Sequence, residues 1–209
     1  MNGFKIIEPV ITSLYRIHFN IMKSLHEYIL EKSWDKYITS TYDDIDKNTV
    51  YDYVSGYTVG VNDDLRKGIL KGSKTVIKAL DNAFKSKYVS KGKLDVYRTI
   101  TWEYLENIYG CNQQNIYKFI GKKFTNKGYM STTKLFKSPW GSGWTSDELV
   151  LHIVSKKEIE YLDINKIFSP EEIDCEDQEE ILLKRNTTMV LSSYINDKNR
   201  KIYILEMVI

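Results

Sequence analysis

At Gly92 the hydrophobic rhythm of the chain changes, and this switch constrains the fold more than any other feature of the sequence. Upstream, Leu14, Ile17, Ile21, Leu25 and Ile29 recur at steps of three and four, which lays one apolar stripe along an amphipathic helix. Further helices are expected in TVYDYVSGY, capped by Asp46 or Asn48, and in VNDDLRKGIL and SKTVIKALDNAF. Downstream, short runs separated by turn residues take over: LDVYRTI, KGYMSTT, ELVLHIV, IEYLDI, EEILLK, TTMVLSSYI and KIYILEMVI. Helices gathered ahead of strands argue for an α+β protein with segregated layers, not an alternating βαβ fold. No linker, repeat or low-complexity segment divides the chain, so residues 1–209 are expected to form one domain, helical over 1–90 and mainly β over 93–209.

Composition narrows the function classes. Hydrophobic residues make up 42% and charged residues 28% of the chain, a soluble globular profile. Lys and Arg number 30 against 28 Asp and Glu, and the net charge of +2 is too small to argue by itself for a nucleic-acid or membrane partner. A basic stretch over Arg66–Lys93 and an acidic one over Phe168–Glu180 read as solvated faces. Cys111 and Cys175 have no CxxC spacing and no histidine at ligand distance, so neither a disulfide framework nor a metal site is expected. No apolar run is long enough to span a bilayer, and Glu8, Pro9 and Arg16 interrupt the stretch where a signal peptide would need its apolar core. The expectation is therefore no membrane partner, and a chain that acts where it is made or is a mature form freed of its export signal. Two glycine-bearing segments are rejected as phosphate loops. GILKGSKT is one residue short of the P-loop spacing and follows a helical stretch; GSGW lacks a third glycine and a βαβ setting.

The segment QEEILLK sets a carboxylate pair against an apolar triplet. In a strand, Glu180, Leu182 and Lys184 share one face, and Glu179, Ile181 and Leu183 the other. One glutamate is thereby driven inward, which is costly unless something compensates. Arg98 poses the same problem at the end of LDVYRTI, because a guanidinium turned inward needs an anion to meet its fork. Between them, KGYMSTT places the hydroxyls of Ser131, Thr132 and Thr133 on both faces of a strand. Taken singly, each feature is also compatible with an ordinary surface strand.

In this order, an arginine ending a strand, a G[YF]xST[ST] strand and an [EQ]xE pair before an apolar triplet resemble the Arg, Ser-Thr-Ser, Glu-x-Glu layout of bacterial toxin-type mono-ADP-ribosyltransferases. Tyr53, Asn62, Leu65 and Arg66 in YVSGYTVGVNDDLRKG resemble the family's helical element, whose Asn and Arg contact NAD. LLKRNT is similar to the family's LLPRGT, with Lys184 in place of Pro and Asn186 in place of Gly. The resemblance implies a fold of N-terminal helices packed on a core of two mainly antiparallel sheets. It implies NAD as substrate, no metal, and cleavage of the nicotinamide–ribose bond through an oxocarbenium-like species.

The resemblance also implies roles. Glu180 stabilises the developing positive charge, Ser131 holds Glu180, and Gln178 is its partner two residues earlier. Arg98 clamps the NAD phosphates with help from Arg66, and Asn62, Tyr53, Thr132 and Trp140 complete the NAD contacts. Trp140 is the aromatic of SPWGSGW, which lacks the arginine common in that loop of the family. A Gln in the first position resembles the Q-x-E branch, which includes Rho-modifying exoenzymes acting on asparagine, so an uncharged acceptor is favoured over arginine. The acceptor is expected to be a host protein such as a small GTPase in preference to nucleic acid, reached by a secreted or delivered toxin in the target-cell cytoplasm. Two alternatives stand beside this reading: an NAD glycohydrolase that depletes NAD, and an inactive binding module docking through Arg66–Lys93.

Overall fold

Asp44 fixes the start of the first helix described by the computed structural model, which describes residues 44–56, 60–68, 74–136, 148–169, 171–173, 179–200 and 202–209. Its carboxylate accepts from the N–H groups of Asp46 and Lys47 at 3.0 and 3.2 Å, opening α1 (Ile45–Val54). The cap thus lies ahead of the expected Asp46 or Asn48; Asp46 falls in the first turn and Asn48 is buried inside the helix. The cause is local, since Asp44 has the extended backbone that an N-cap needs while its successors are already helical. Two further helices follow, α2 (Val61–Lys67) and α3 (Lys74–Ala83), of which α2 begins and ends on left-handed glycines, Gly60 and Gly68. The amphipathic stripe from Leu14 to Ile29 lies outside the described residues.

The strands are β1 (Val89–Gly92), β2 (Asp95–Thr101), β3 (Lys123–Asn126), β4 (Met130–Thr133), β5 (Glu148–Val154), β6 (Ile159–Asp163), β7 (Glu180–Leu183), β8 (Thr187–Asp197) and β9 (Ile202–Val208). Among the described residues they follow the order β1-β6-β7-β4-β2-β5-β9-β8-β3, and only the β5–β9 pair is parallel. The α+β class is as expected from the sequence, but in place of two separate sheets the strands form one continuous order. That order nearly divides: β2 and β4 pair at a single position, Tyr97 with Thr133. Within the stranded half lies α4 (Trp102–Tyr109), capped by the Thr101 hydroxyl, which accepts from the Tyr104 N–H, and closed by left-handed Gly110. A 3₁₀ turn, Ile116–Phe119, precedes β3, and a single-turn helix, α5 (Ile164–Ile167), follows β6.

Two apolar clusters organise the interior. One gathers Leu65, Val76, Leu80, Tyr129, Ile164 and Leu182 beneath the helices. The other holds Leu149, Ile153, Ile181, Leu183, Leu191 and Leu205 with Trp102 and Leu105 of α4. Strand β7 belongs to both, and every one of its residues is buried. Replacing Ile181 or Leu182 by alanine should therefore cost about 2–5 kcal/mol. The end of β7 is fastened by Arg185, whose Nε and Nη2 reach the Asp81 carboxylate of α3 at 2.9 and 2.7 Å. The buried Tyr129 hydroxyl reaches the same carboxylate at 2.8 Å. Asn186 then turns the chain at φ 62, a conformation that asparagine tolerates in place of glycine.

Asp52 of α1 is buried at 4% exposure, and its Oδ2 has no hydrogen-bond partner. Burial pushes its pKa from 3.8 up to about 6. Because the folded state holds the proton more tightly, Asp52 favours folding below pH 3.8, and that contribution is lost as pH rises through about 6. Asp52→Asn should thus raise the melting temperature at pH 8, by roughly 2–4 °C per kcal/mol relieved, and leave it nearly unchanged at pH 4. Thermal unfolding at the two pH values checks this.

Candidate active site

Of the two adjacent glutamates, Glu180 is the one turned inward, at 6% exposure, while Glu179 is half-exposed. The register explains the choice. Strand β4 pairs with β7 through Ser131↔Leu182 and Thr133↔Glu180, so Ser131, Thr133, Glu180 and Leu182 share the face beneath the helices. Glu179 takes a left-handed φ of 44, unusual for a non-glycine residue, and swings the chain into β7. Two bonds hold this entry: the Glu179 carbonyl accepts from the Lys134 N–H at 3.2 Å, and the Glu180 N–H donates to Asn165 Oδ1 of α5 at 3.2 Å. Burial raises the Glu180 pKa, against the lowering effect of a hydrogen bond from Ser131 and of the Arg98 charge.

Arg98 occupies the near-break in the sheet. The Lys134 N–H points toward β7, and by strand alternation the Ser131 carbonyl points toward β2. No β2 backbone group pairs there. The Arg98 guanidinium takes its place, donating from Nη1 to the Ser131 carbonyl at 2.5 Å. Desolvation pulls the Arg98 pKa below its ordinary value, and Arg66 adds to the effect; Tyr53, Tyr104 and Glu180 oppose it. A guanidinium this desolvated retains its charge, so the site carries fixed positive potential beside a carboxylate.

A second limb descends from the helices. Tyr53 of α1 accepts a hydrogen bond from Asn62 Nδ2 of α2 at 2.7 Å. Asn62 Oδ1 in turn accepts from the Tyr129 N–H at 2.8 Å, which ties α2 to the start of β4. Burial raises the Tyr53 pKa, partly offset by the Asn62 bond, Arg98 and a bond with Ser131. Tyr53 and Asn62 therefore reach the same group as Arg98, Ser131 and Glu180. Gly128 makes the approach of Asn62 possible, for a Cβ there would lie 2.5 Å from Asn62 Oδ1.

Arg66 lies one helical turn beyond Asn62. It pairs with Asp63 at 3.0 Å and stacks 5.1 Å above the Tyr104 ring, and its buried Nε has no partner. Arg66, Tyr104, Asn126 and Lys127 line an open cleft of about 550 Å³, within the size range of small-molecule sites. The arrangement offers a half-buried pair of guanidinium groups, Arg98 and Arg66, for an anionic diphosphate, with a carboxylate close to one of them. Among the described residues no cluster of His, Cys, Asp and Glu is built to hold a metal ion. Cys111 is buried and its thiol is pushed up to about 11 by desolvation, which removes it as a nucleophile.

The structure brings together Glu180, Ser131, Arg98, Tyr53 and Asn62, with Arg66 at their margin. Thr132 stands apart from this group. Its hydroxyl is buried on the opposite face from Ser131 and donates to the Ile181 carbonyl at 2.8 Å, which fastens β4 to β7. Gln178 and Trp140 lie outside the described residues. Asn165, Gly128 and Tyr104 were missed from the sequence. The GY dipeptide before the Ser-Thr-Thr run was the available signal for Gly128; Asn165 carried none.

The ADP-ribosyltransferase exoenzyme family matches residues 27–209, and the chain belongs to that family. It is an NAD-dependent mono-ADP-ribosyltransferase, with NAD as its substrate. Its fold is shared with C3stau2 from S. aureus, solved with NAD (TM-score 0.62, 20% identity, covering 86% of this chain and 94% of that one). It is shared too with the Clostridium limosum C3 exoenzyme (TM-score 0.59, 18% identity, 85% and 92% covered). Plx2a, an ADP-ribosyltransferase toxin from Paenibacillus larvae, is similar at a TM-score of 0.60 and 18% identity, with 88% and 96% covered. No curated protein matches the chain in sequence.

The Asn62–Gly128 contact generates a test. Gly128→Ala should displace the Asn62 side chain and, through it, Tyr53, weakening NAD binding by roughly tenfold while the fold is retained. Calorimetric titration with NAD, alongside a melting curve, would measure both.

Proposed function

We propose that Glu180 is the catalytic carboxylate and that the enzyme transfers ADP-ribose from NAD to an uncharged, asparagine-like side chain of a host protein. The observation that carries the first part is the convergence of Glu180 with Ser131 and Arg98 from separate strands. A carboxylate held beside the ribose contributes most when positive charge peaks on the sugar, which is stabilisation of the transition state and not of bound NAD. Ser131 orients that carboxylate, and Gln178 serves as its partner two residues earlier. Arg98 and Arg66 bind the diphosphate, Tyr53 and Asn62 brace the wall of the site, and Trp140 supplies an aromatic contact from its loop.

The acceptor follows from the branch. A Gln at the first position of the pair gives the site one carboxylate fewer than the E-x-E arrangement, which suits a neutral amide better than an arginine. The solved C3 exoenzymes that share the fold support the same class of toxin, whose acceptor would be a protein such as a small GTPase in the target-cell cytoplasm.

Incubation with NAD labelled on its adenylate half separates the outcomes. Label on a protein in a cell lysate supports transfer, free ADP-ribose alone supports hydrolysis, and intact NAD supports a binding module. Glu180→Gln should bind NAD yet lose turnover by about a hundredfold or more. Ser131→Ala gives an independent reading. It removes a bond to the charged form of Glu180, whose pKa is already raised by burial, and so raises it further. Activity needs the ionised carboxylate and falls as pH drops through that pKa. The acid limb of the kcat/KM profile should accordingly move to higher pH in Ser131→Ala, and an unmoved limb counts against the assigned role.

A further inference from the structure

The net charge of +2 conceals a long segment with no carboxylate. Between Glu106 and Asp147 there is neither Asp nor Glu, while Lys118, Lys122, Lys123 and Lys127 fall within ten residues of one another. These four sit at one edge of the sheet. The 3₁₀ turn Ile116–Phe119 runs through Lys122 into β3, the last strand of the sheet order, and Lys127 follows that strand. All four lysines are exposed, and none of them belongs to an ion pair among the described residues.

The same turn presents apolar side chains to solvent. Tyr117 is 56% and Ile120 49% exposed. The lysines are held beside aromatic rings, Lys118 Nζ 5.5 Å from the Tyr117 centroid and Lys122 Nζ 4.7 Å from that of Phe119. Lysine on an edge strand commonly blocks pairing with another sheet. That accounts for Lys123 but not for Tyr117 and Ile120, which a merely protected edge would leave polar. Exposed apolar tips among unpaired ammonium groups match an interfacial lipid site, where the tips enter the headgroup boundary and the cations meet acidic lipids. A nucleic-acid surface would use Tyr117 for stacking and would have no use for Ile120.

We infer that the ridge over residues 116–127 docks the enzyme reversibly on an anionic bilayer surface. This revises the expectation of no membrane partner, which rested on net charge and on the lack of a spanning segment. Surface docking needs neither. The ridge adjoins the Arg66 cleft, because Thr125 and Lys127 line that cleft as well, so a docked molecule would hold that cleft next to the lipid.

Co-sedimentation of the full chain with phosphatidylcholine vesicles, with and without about 30% phosphatidylserine, tests the inference. Binding to the acidic vesicles should exceed binding to the neutral ones by about tenfold at about 0.1 M salt and fall away at about 0.5 M. Lys118→Glu with Lys122→Glu should weaken it by about tenfold, and Tyr117→Ser with Ile120→Ser, which leaves the charge intact, by several-fold. Both double variants should keep the melting temperature and NAD turnover of the parent, since none of these residues touches the Glu180 group. Equal binding to the two vesicle types, no binding to either, or variants that bind like the parent would overturn the inference. So would tighter binding to a duplex or single-stranded oligonucleotide that the same variants abolish, because the ridge would then be a nucleic-acid surface.

Discussion

A single hydrogen bond across an incomplete sheet carries the architecture of the site. Strands β2 and β4 meet at one paired position, and two residues away the Arg98 guanidinium donates to the Ser131 carbonyl where a backbone partner is missing. A backbone N–H in that place would have closed the sheet and left no room for a charged group. With a guanidinium there, the same carbonyl is satisfied and a cation is delivered to the interior face, still with donors to spare. That surplus is what an anionic ligand can use. The gap in the sheet and the positive charge of the site are one feature.

The carboxylate side is built on the opposite logic. Strand β7 is short, yet all its residues are buried, and Glu180 is the one ionisable group among them. Ile181 and Leu183 belong to one apolar cluster and Leu182 to the other. The unfavourable φ at Glu179 costs on the order of 1 kcal/mol. The burial of its successors and the clasp of Asn165 on the Glu180 N–H outweigh this strain. Beyond the strand, Arg185 joins Asp81 and Tyr129, tying the exit of β7 to α3 and to the start of β4.

Much of this was legible in the sequence, for physical reasons that differ between elements. Alternation located β5 at Glu148–Val154 and β9 at Ile202–Val208, because their apolar sides pack on a core whichever neighbours they pair with. It failed for β1 and β3, edge strands whose VSKG and KFTN segments are too short and polar to show the pattern: β1 buries no residue fully, and β3 contributes only Phe124 to the apolar core. Helix α4 was overlooked although Trp102, Leu105 and Tyr109 are spaced for one face and Thr101 is a cap. The apolar strands on either side masked the change of period. Glu180 and Ser131 were recoverable because both lie in recognisable patterns, and the two-residue period already placed Thr132 on the other face from Ser131. Asn165 was not recoverable, since its bond to Glu180 depends on how β6 and β7 pair and on the turn of α5 between them.

The position of β7 between two cores bears on how the enzyme fluctuates. In a protein with separable layers, one layer can loosen while the other stays intact, and a side chain at their seam drifts with it. Here the strand that begins with Glu180 contributes to both clusters, so neither can open without disturbing it. The carboxylate therefore cannot drift with one layer alone, because displacing its strand disturbs both clusters.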